Sequence, residues 1–229
     1  MLTASKTTGI ALDVASTVGS VAPGVVTLLD KSRFKNNGTF AFGGGGSIPT
    51  YTKLSSGLWH LNFVTANKSY INFGNPISLR LNNKVSVSAW ANYQSAAAGL
   101  HAIYYKGQLY FCMGISSGIF FAYVGNGAAS TLYFYAFNYY PVLNRWYHFV
   151  VTVDGTNVIA YWNGVLKRST AQVQTLTDSG INASIGADTV SSTYATEKIA
   201  AVKVYNYALT PAQIRNIYNR EKRYFPDVN

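Results

Sequence analysis

The sequence predicts an all-β fold, a sandwich or a barrel of short strands, with one short helix near the C-terminus. Three observations carry this. Apolar runs of strand length recur along most of the 229 residues, separated by Gly, Asn, Ser or Pro. Residues 147–170, YHFVVTVDGTNVIAYWNGVLKRST, spell a three-strand meander. Thr210-Pro211-Ala212-Gln213 spells a helix start, with an N-cap, a proline at the first helical position and a capping-box Gln.

Taken in order, residues 1–29 are small, Ser/Thr/Val-rich and weakly patterned, and read as an arm or an edge strand ahead of one domain spanning 30–229. They make a poor signal peptide, because Asp13 and Gly19 interrupt any apolar centre. The sequons at Asn37, Asn67 and Asn182 therefore carry no expectation of glycosylation. Lys31 to Gly46 is basic and turn-rich and ends in four glycines. A glycine run can be a linker, but the apolar pattern resumes at once beyond it, so a tight loop is expected.

Strands are expected at Leu58–Val64, Ser69–Phe73, Val85–Tyr93, Ala102–Tyr105, Gln108–Met113, Ile119–Val124, Leu132–Phe137, Trp146–Val153, Val158–Trp162, Ala183–Ile185 and Lys198–Tyr205. Asp154-Gly155-Thr156-Asn157 and Asn163-Gly164 are the turns of the meander, since Asn and Gly tolerate positive φ. Trp146 and Trp162 are expected to pack the sandwich. The helix is expected over 210–223, with Ile214, Ile217 and Tyr218 as its apolar stripe.

The formal charge is +10, from 18 Lys and Arg against 8 Asp and Glu, so the imbalance reflects missing acids. Bases gather at Lys31, Arg33 and Lys35, and at Arg215, Arg220, Lys222 and Arg223. The second group reads either as a solvated surface or as a docking patch for an acidic partner. There is no zinc-finger spacing and no RNP-like motif, which argues against specific nucleic-acid readout. No run of 18 apolar residues is present, so no membrane span is expected. The one cysteine, Cys112, lies in an apolar run and reads as buried.

Three stretches resemble the concanavalin A-like lectin/glucanase superfamily, in particular its laminin-G-like and pentraxin-like members. They are Lys68–Pro76 followed by Val85–Trp90, then Asn144–Gly155 running on to Ala160–Gly164, then Ile199–Tyr218. Asp30 to Thr39 is similar to that family's opening turn. The resemblance implies a two-sheet antiparallel jelly roll, and by default glycan binding. Many members hold calcium with carboxylates just before the strand at Tyr70 and beside the closing strand. Here those places read Thr65-Ala66-Asn67-Lys68-Ser69 and Ile199-Ala200-Ala201-Val202. Calcium needs several hard oxygens, carboxylates among them, and residues 31–153 contain none. No metal and no cofactor are expected; Asp188 with Glu197 is the one alternative pair.

No catalytic residue is expected. A glycosidase needs two carboxylates flanking the bond, and neither Glu197 nor Glu221 has an acid within two residues. Gly114-Ile115-Ser116-Ser117-Gly118 has the spacing of a nucleophile elbow, but a strand follows it, so it reads as a hairpin turn. His60, His101 and His148 share no metal spacing and read as structural. The aromatics are the informative excess. In TLYFYAFNYY, residues 131–140, one strand face would carry Tyr133, Tyr135, Phe137 and Tyr139, and the other would end at Tyr140. Such tyrosines fit core, protein interface or glycan platform.

The expectation is therefore a non-enzymatic structural or adhesion protein, a virion surface or capsid-associated subunit made in a host cytoplasm. Its partners would be acidic surfaces of neighbouring subunits in an oligomeric or larger assembly, and secondarily host glycans. The alternative is a calcium-independent carbohydrate-binding module, extracellular in setting.

Overall fold

The computed structural model describes residues 9–14, 27–95, 99–107, 110–126, 133–178, 180–226 and 228, with only the backbone of Tyr133 and Phe134. In chain order the strands are β1 (Ile10–Val14), β2 (Thr27–Leu28), β3 (Gly38–Phe42), β4 (Thr50–Lys53), β5 (Trp59–Asn62), β6 (Ser69–Asn72), β7 (Val85–Tyr93), β8 (Leu100–Tyr105), β9 (Phe111–Ser116), β10 (Ile119–Val124), β11 (Tyr133–Ala136), β12 (Trp146–Val153), β13 (Asn157–Trp162), β14 (Val165–Ala171), β15 (Ser184–Ile185), β16 (Ala187–Asp188), β17 (Thr193–Tyr194) and β18 (Glu197–Tyr205). Helix α1 (Pro211–Glu221) follows. One sheet runs β14-β13-β12-β7-β18-β5-β4, with β1 paired to the C-terminal half of β18. The second runs β11-β10-β9-β8-β15-β6-β3-β2. Pairing is antiparallel, and the two sheets make the expected jelly-roll sandwich.

Alternation decides what each strand buries. Val85, Val87, Ala89 and Ala91 of β7 face inward with Phe149, Val151 and Val153 of β12. They meet Ile103, Met113, Ile115, Phe120, Phe40 and Ile71 of the second sheet in one core. Phe120 bridges the sheets, 4.6 Å from the Phe149 ring and 6.4 Å from Trp162.

The alternate residues of β7 face outward, yet all nine of its residues are buried. The C-terminal segment covers them. Trp90 stacks on Phe225 at 4.0 Å and on Tyr218 at 5.8 Å, and its indole N–H donates to Glu221 Oε2 at 2.8 Å. Glu221 also pairs with Lys203. Trp146 packs in this outer cluster and not between the sheets, which corrects its expected place; Trp162 does sit between the sheets. Ile214 and Ile217 cap a neighbouring cluster with Val150, Tyr161, Tyr205 and Leu209. Two polar pairs lie under the helix: Ser86 Oγ bonds Thr152 Oγ1 at 2.9 Å, and Ser88 Oγ bonds His148 Nε2 at 2.8 Å. The helix has its capping box, with Thr210 N–H donating to Gln213 Oε1 and Gln213 N–H to Thr210 Oγ1.

The turns obey their residues. Asp154 Oδ1 accepts from the N–H of Thr156 and of Asn157, at 2.8 and 2.6 Å, so this carboxylate shapes a loop. Ser117 and Gly118 carry the positive φ of the β9–β10 hairpin, which removes the nucleophile-elbow reading. The four glycines form a tight loop: Gly43 N–H donates to Lys68 O and Ser47 N–H to Asn67 O. Asp30 is buried and accepts four hydrogen bonds, from the N–H groups of Asp13, Ser32 and Asn36 and the hydroxyl of Ser32. It thereby ties β1 to the opening turn. Within residues 1–29 the described parts are strands paired into the two sheets, and 1–8 and 15–26 lie outside the described residues. Among the described residues no helix is long and apolar enough to cross a membrane.

Two outcomes test this packing. A Cβ at Gly46 would lie 2.1 Å from Asn67 O, whereas one at Gly44 meets nothing within 4 Å. Gly46→Ala is expected to destabilise by about 1–3 kcal/mol, and Gly44→Ala to change stability by less than about 0.5 kcal/mol, read by chemical denaturation. Burial holds the His148 imidazole down at about 4, below its ordinary 6.5. The unfolded chain therefore takes up this proton first, so stability is whole above pH 6.5 and falls as pH drops from there towards 4. The expected share at pH 5 is about 2 kcal/mol. Denaturation at pH 7 and pH 5 should show a correspondingly smaller loss for His148→Gln.

Candidate binding surfaces

The tyrosine face expected at 133–140 is not built as such. Tyr135 lies opposite Ala122, which faces the core, so Tyr135 is core too, with 3% exposure. Its hydroxyl accepts from Val173 N–H at 2.9 Å. This corrects its assignment to a surface. β11 ends at Ala136, and Asn138 takes φ +56°, which breaks the alternation before Tyr139 and Tyr140. Tyr139 is half-buried on Trp162 at 5.6 Å, with Lys167 Nζ 5.1 Å from its ring. Tyr140 is 64% exposed. The Tyr133 side chain lies outside the described residues.

The basic residues Arg215, Arg220, Lys222 and Arg223 are all exposed. They do not share one helix face, since five residues separate Arg215 from Arg220 by roughly 140°. Arg223 lies over the Tyr224 ring at 4.8 Å and Lys222 over Tyr218 at 5.5 Å. Arg220 lines a groove with Tyr205, Tyr207 and Asn216 between β18 and the helix.

A larger groove, about 910 Å³, opens at one end of the sandwich. Phe34 comes from the opening turn, Ile77 and Arg80 from the segment after β6, and Asn82, Asn83 and Lys84 from the turn into β7. Ile77 is 80% exposed, and Leu176 below is buried. Asn36 and Ser78 exchange two hydrogen bonds, at 2.8 and 3.1 Å, which fixes the opening turn against the Ile77 segment. Asn83 Oδ1 accepts from Leu176 N–H and Gln172 Nε2, and Asn82 Oδ1 accepts from Lys84 N–H. With their carbonyl ends used inside the protein, both amides keep their NH₂ ends as donors. Arg33 holds its guanidinium 4.7 Å from the Phe34 ring. Behind Arg80, Asp178 meets Arg80 Nε at 3.6 Å and the buried Lys106 Nζ at 3.3 Å. Burial pulls the Lys106 ammonium below its ordinary range, and Asp178 partly restores it. The run Arg80-Leu81-Asn82-Asn83-Lys84 is the signal for this groove in the sequence: two amides and two bases just before a strand.

The residues at the family's calcium places are otherwise engaged. Lys68 Nζ donates to Gly44 O at 3.0 Å, and Ala200 and Ala201 pack beside Leu58, Trp90 and Trp146. Glu197 and Asp188 do not form a shared site. Glu197 is fully buried and meets His101 Nδ1 at 2.8 Å across the sandwich; burial pushes its carboxyl up and the His101 hydrogen bond pulls it partly back. Asp188 Oδ1 accepts from Val190 and Ser191 N–H. His60 packs edge-on against Trp146 at 5.4 Å. Among the described residues no three His, Cys, Asp or Glu side chains gather as a metal site.

Comparison with solved structures gives the same fold. Domain 4 of the extracellular GH43 arabinanase AbnA from Geobacillus stearothermophilus, solved with arabinotriose, superposes with TM-score 0.70 at 17% identity over 92% of this chain and 98% of that one. The binding domain of Paraclostridial Mosquitocidal Protein 1 gives TM-score 0.70 at 11% identity, over 92% and 52%. That of Botulinum Neurotoxin DC, in complex with SialylT, gives 0.68 at 13%, over 92% and 51%. The chain spans about half the length of these toxin domains. No curated protein matches the sequence. The family model Laminin_G_3, described as concanavalin A-like lectin/glucanases superfamily, matches residues 65–215, from the turn before β6 into helix α1. The chain belongs to the concanavalin A-like lectin/glucanases superfamily.

Proposed function

We propose that this chain is a non-catalytic carbohydrate-binding module and that the groove between Phe34 and Lys84 receives the glycan. The carrying observation is the groove's chemistry: a half-exposed aromatic ring and an exposed isoleucine for the faces of sugar rings, beside amide and guanidinium donors for their hydroxyls. Among the described residues no carboxylate lines it, and a glycosidase of ordinary mechanism needs two. Solved relatives of the same fold carry glycans in their complexes, arabinotriose in one and SialylT in another.

The virion setting is proposed beside this reading. Its support is the exposed apolar rim of Tyr140, Val142, Leu143 and Val165, on which neighbouring subunits could pack. Mass spectrometry of purified particles checks it, and absence of the chain from them would end it.

The glycan reading is tested by affinity electrophoresis and calorimetry against a polysaccharide panel. Saturable binding to at least one is expected. Phe34→Ala should weaken it about tenfold, while Tyr140→Ala leaves it unchanged and both keep the wild-type melting temperature. Failure to bind any glycan would overturn the proposal.

A further inference from the structure

Resting on the glycan reading, we infer that the ligand of the Phe34–Lys84 groove is an acidic polysaccharide carrying carboxylates along its chain. The first argument is where the charges stand. Seven of the eight acidic residues are described, and none of them is exposed. Asp30, Asp154 and Asp188 hold turns, Glu197 holds His101, Glu221 holds Trp90 and Lys203, and Asp178 holds Arg80 and Lys106. Six of the described acids are thus used within the fold, and the exposed charges among the described residues are the bases.

The second argument is local. Arg80 and Lys84 line the groove, and Arg33 stands over its aromatic ring. The nearest carboxylate, Asp178, is divided between Arg80 and the buried Lys106, so it does not cancel the positive charge there. Lys84 is exposed and forms no ion pair among the described residues. Arg80 meets Asp178 through Nε, which leaves its two Nη groups as a planar fork. That fork matches the two oxygens of a carboxylate. Cations gathered round a concave site attract an anionic ligand and offer a neutral sugar little. The amide donors of Asn82 and Asn83 suit hydroxyls in the same ligand.

The test holds the sugar backbone constant and removes its charge. Polygalacturonate, alginate and hyaluronan are each compared with their fully methyl-esterified forms by affinity electrophoresis at low and high salt. At least one acidic polymer should bind about tenfold or more tighter than its ester, with the preference shrinking as salt screens it. Lys84→Gln should weaken the acidic polymer about fivefold, weaken the ester less than that and keep the melting temperature; an equal loss for acid and ester would overturn the acidic ligand. Equal binding of acid and ester, lost in Phe34→Ala, would overturn the acidic ligand while the glycan reading stands. Tighter binding of dextran sulfate would overturn the carboxylate. Equal competition by duplex DNA would overturn the polysaccharide. Failure of every glycan to bind would overturn both readings.

Discussion

β7 is buried on both faces over its whole length, and much of the molecule answers to that constraint. Its inward residues, Val85 to Ala91 in alternation, are ordinary sandwich core. Its outward residues are Ser86, Ser88, Trp90 and Asn92, and a buried polar group without a partner costs roughly 1–3 kcal/mol. Each of the two serines therefore has a partner on β12, and Ser86 Oγ also receives Leu209 N–H ahead of the helix. Trp90 lies between the rings of Tyr218 and Phe225 and hands its N–H to Glu221. The C-terminal helix is thus a lid on one sheet, seated by one indole.

The same economy governs the carboxylates. A chain with eight acids could scatter them in solvent; this one places six of the seven described at turns or in pairs within the fold. Asp30 shows the pattern best, since four hydrogen bonds converge on it and tie β1 to the opening turn. Positive charge is left on the surface by subtraction, and the groove at the end of the sandwich has it beside an aromatic ring.

Much of the fold was legible because it is local. Val85–Tyr93, Ile119–Val124 and Trp146–Val153 have the strand limits their patterns indicate, and Thr210 to Gln213 starts the helix as its residues dictate. β4, β16 and β17 were not legible: they are hairpin strands of two to four residues, too short for an alternation to show. β1 was legible only as an arm or edge strand, because its partner β18 lies at the far end of the chain. Tyr135 shows the limit for sites: one positive-φ residue, Asn138, decides which tyrosines reach solvent, and a face count cannot see it. The groove was harder still. Phe34 stands far from the Arg80–Lys84 run in the chain, and the Asn36–Ser78 bonds fix the two segments together.

The indole seat of the helix has a consequence for how the protein is made. Trp90 and Glu221 are 131 positions apart. During synthesis β7 leaves the ribosome long before its outer cover does, and a greasy tryptophan-bearing sheet face waits unprotected in the meantime. Contacts of such long range are slow to close, and bare sheet surface in the interval invites wrong partners. The opening turn, by contrast, joins Asp30 to Asn36 and Asp13, 6 and 17 positions away, and can set earlier than a contact spanning 131. The nascent chain therefore has its groove wall in place before it has its lid.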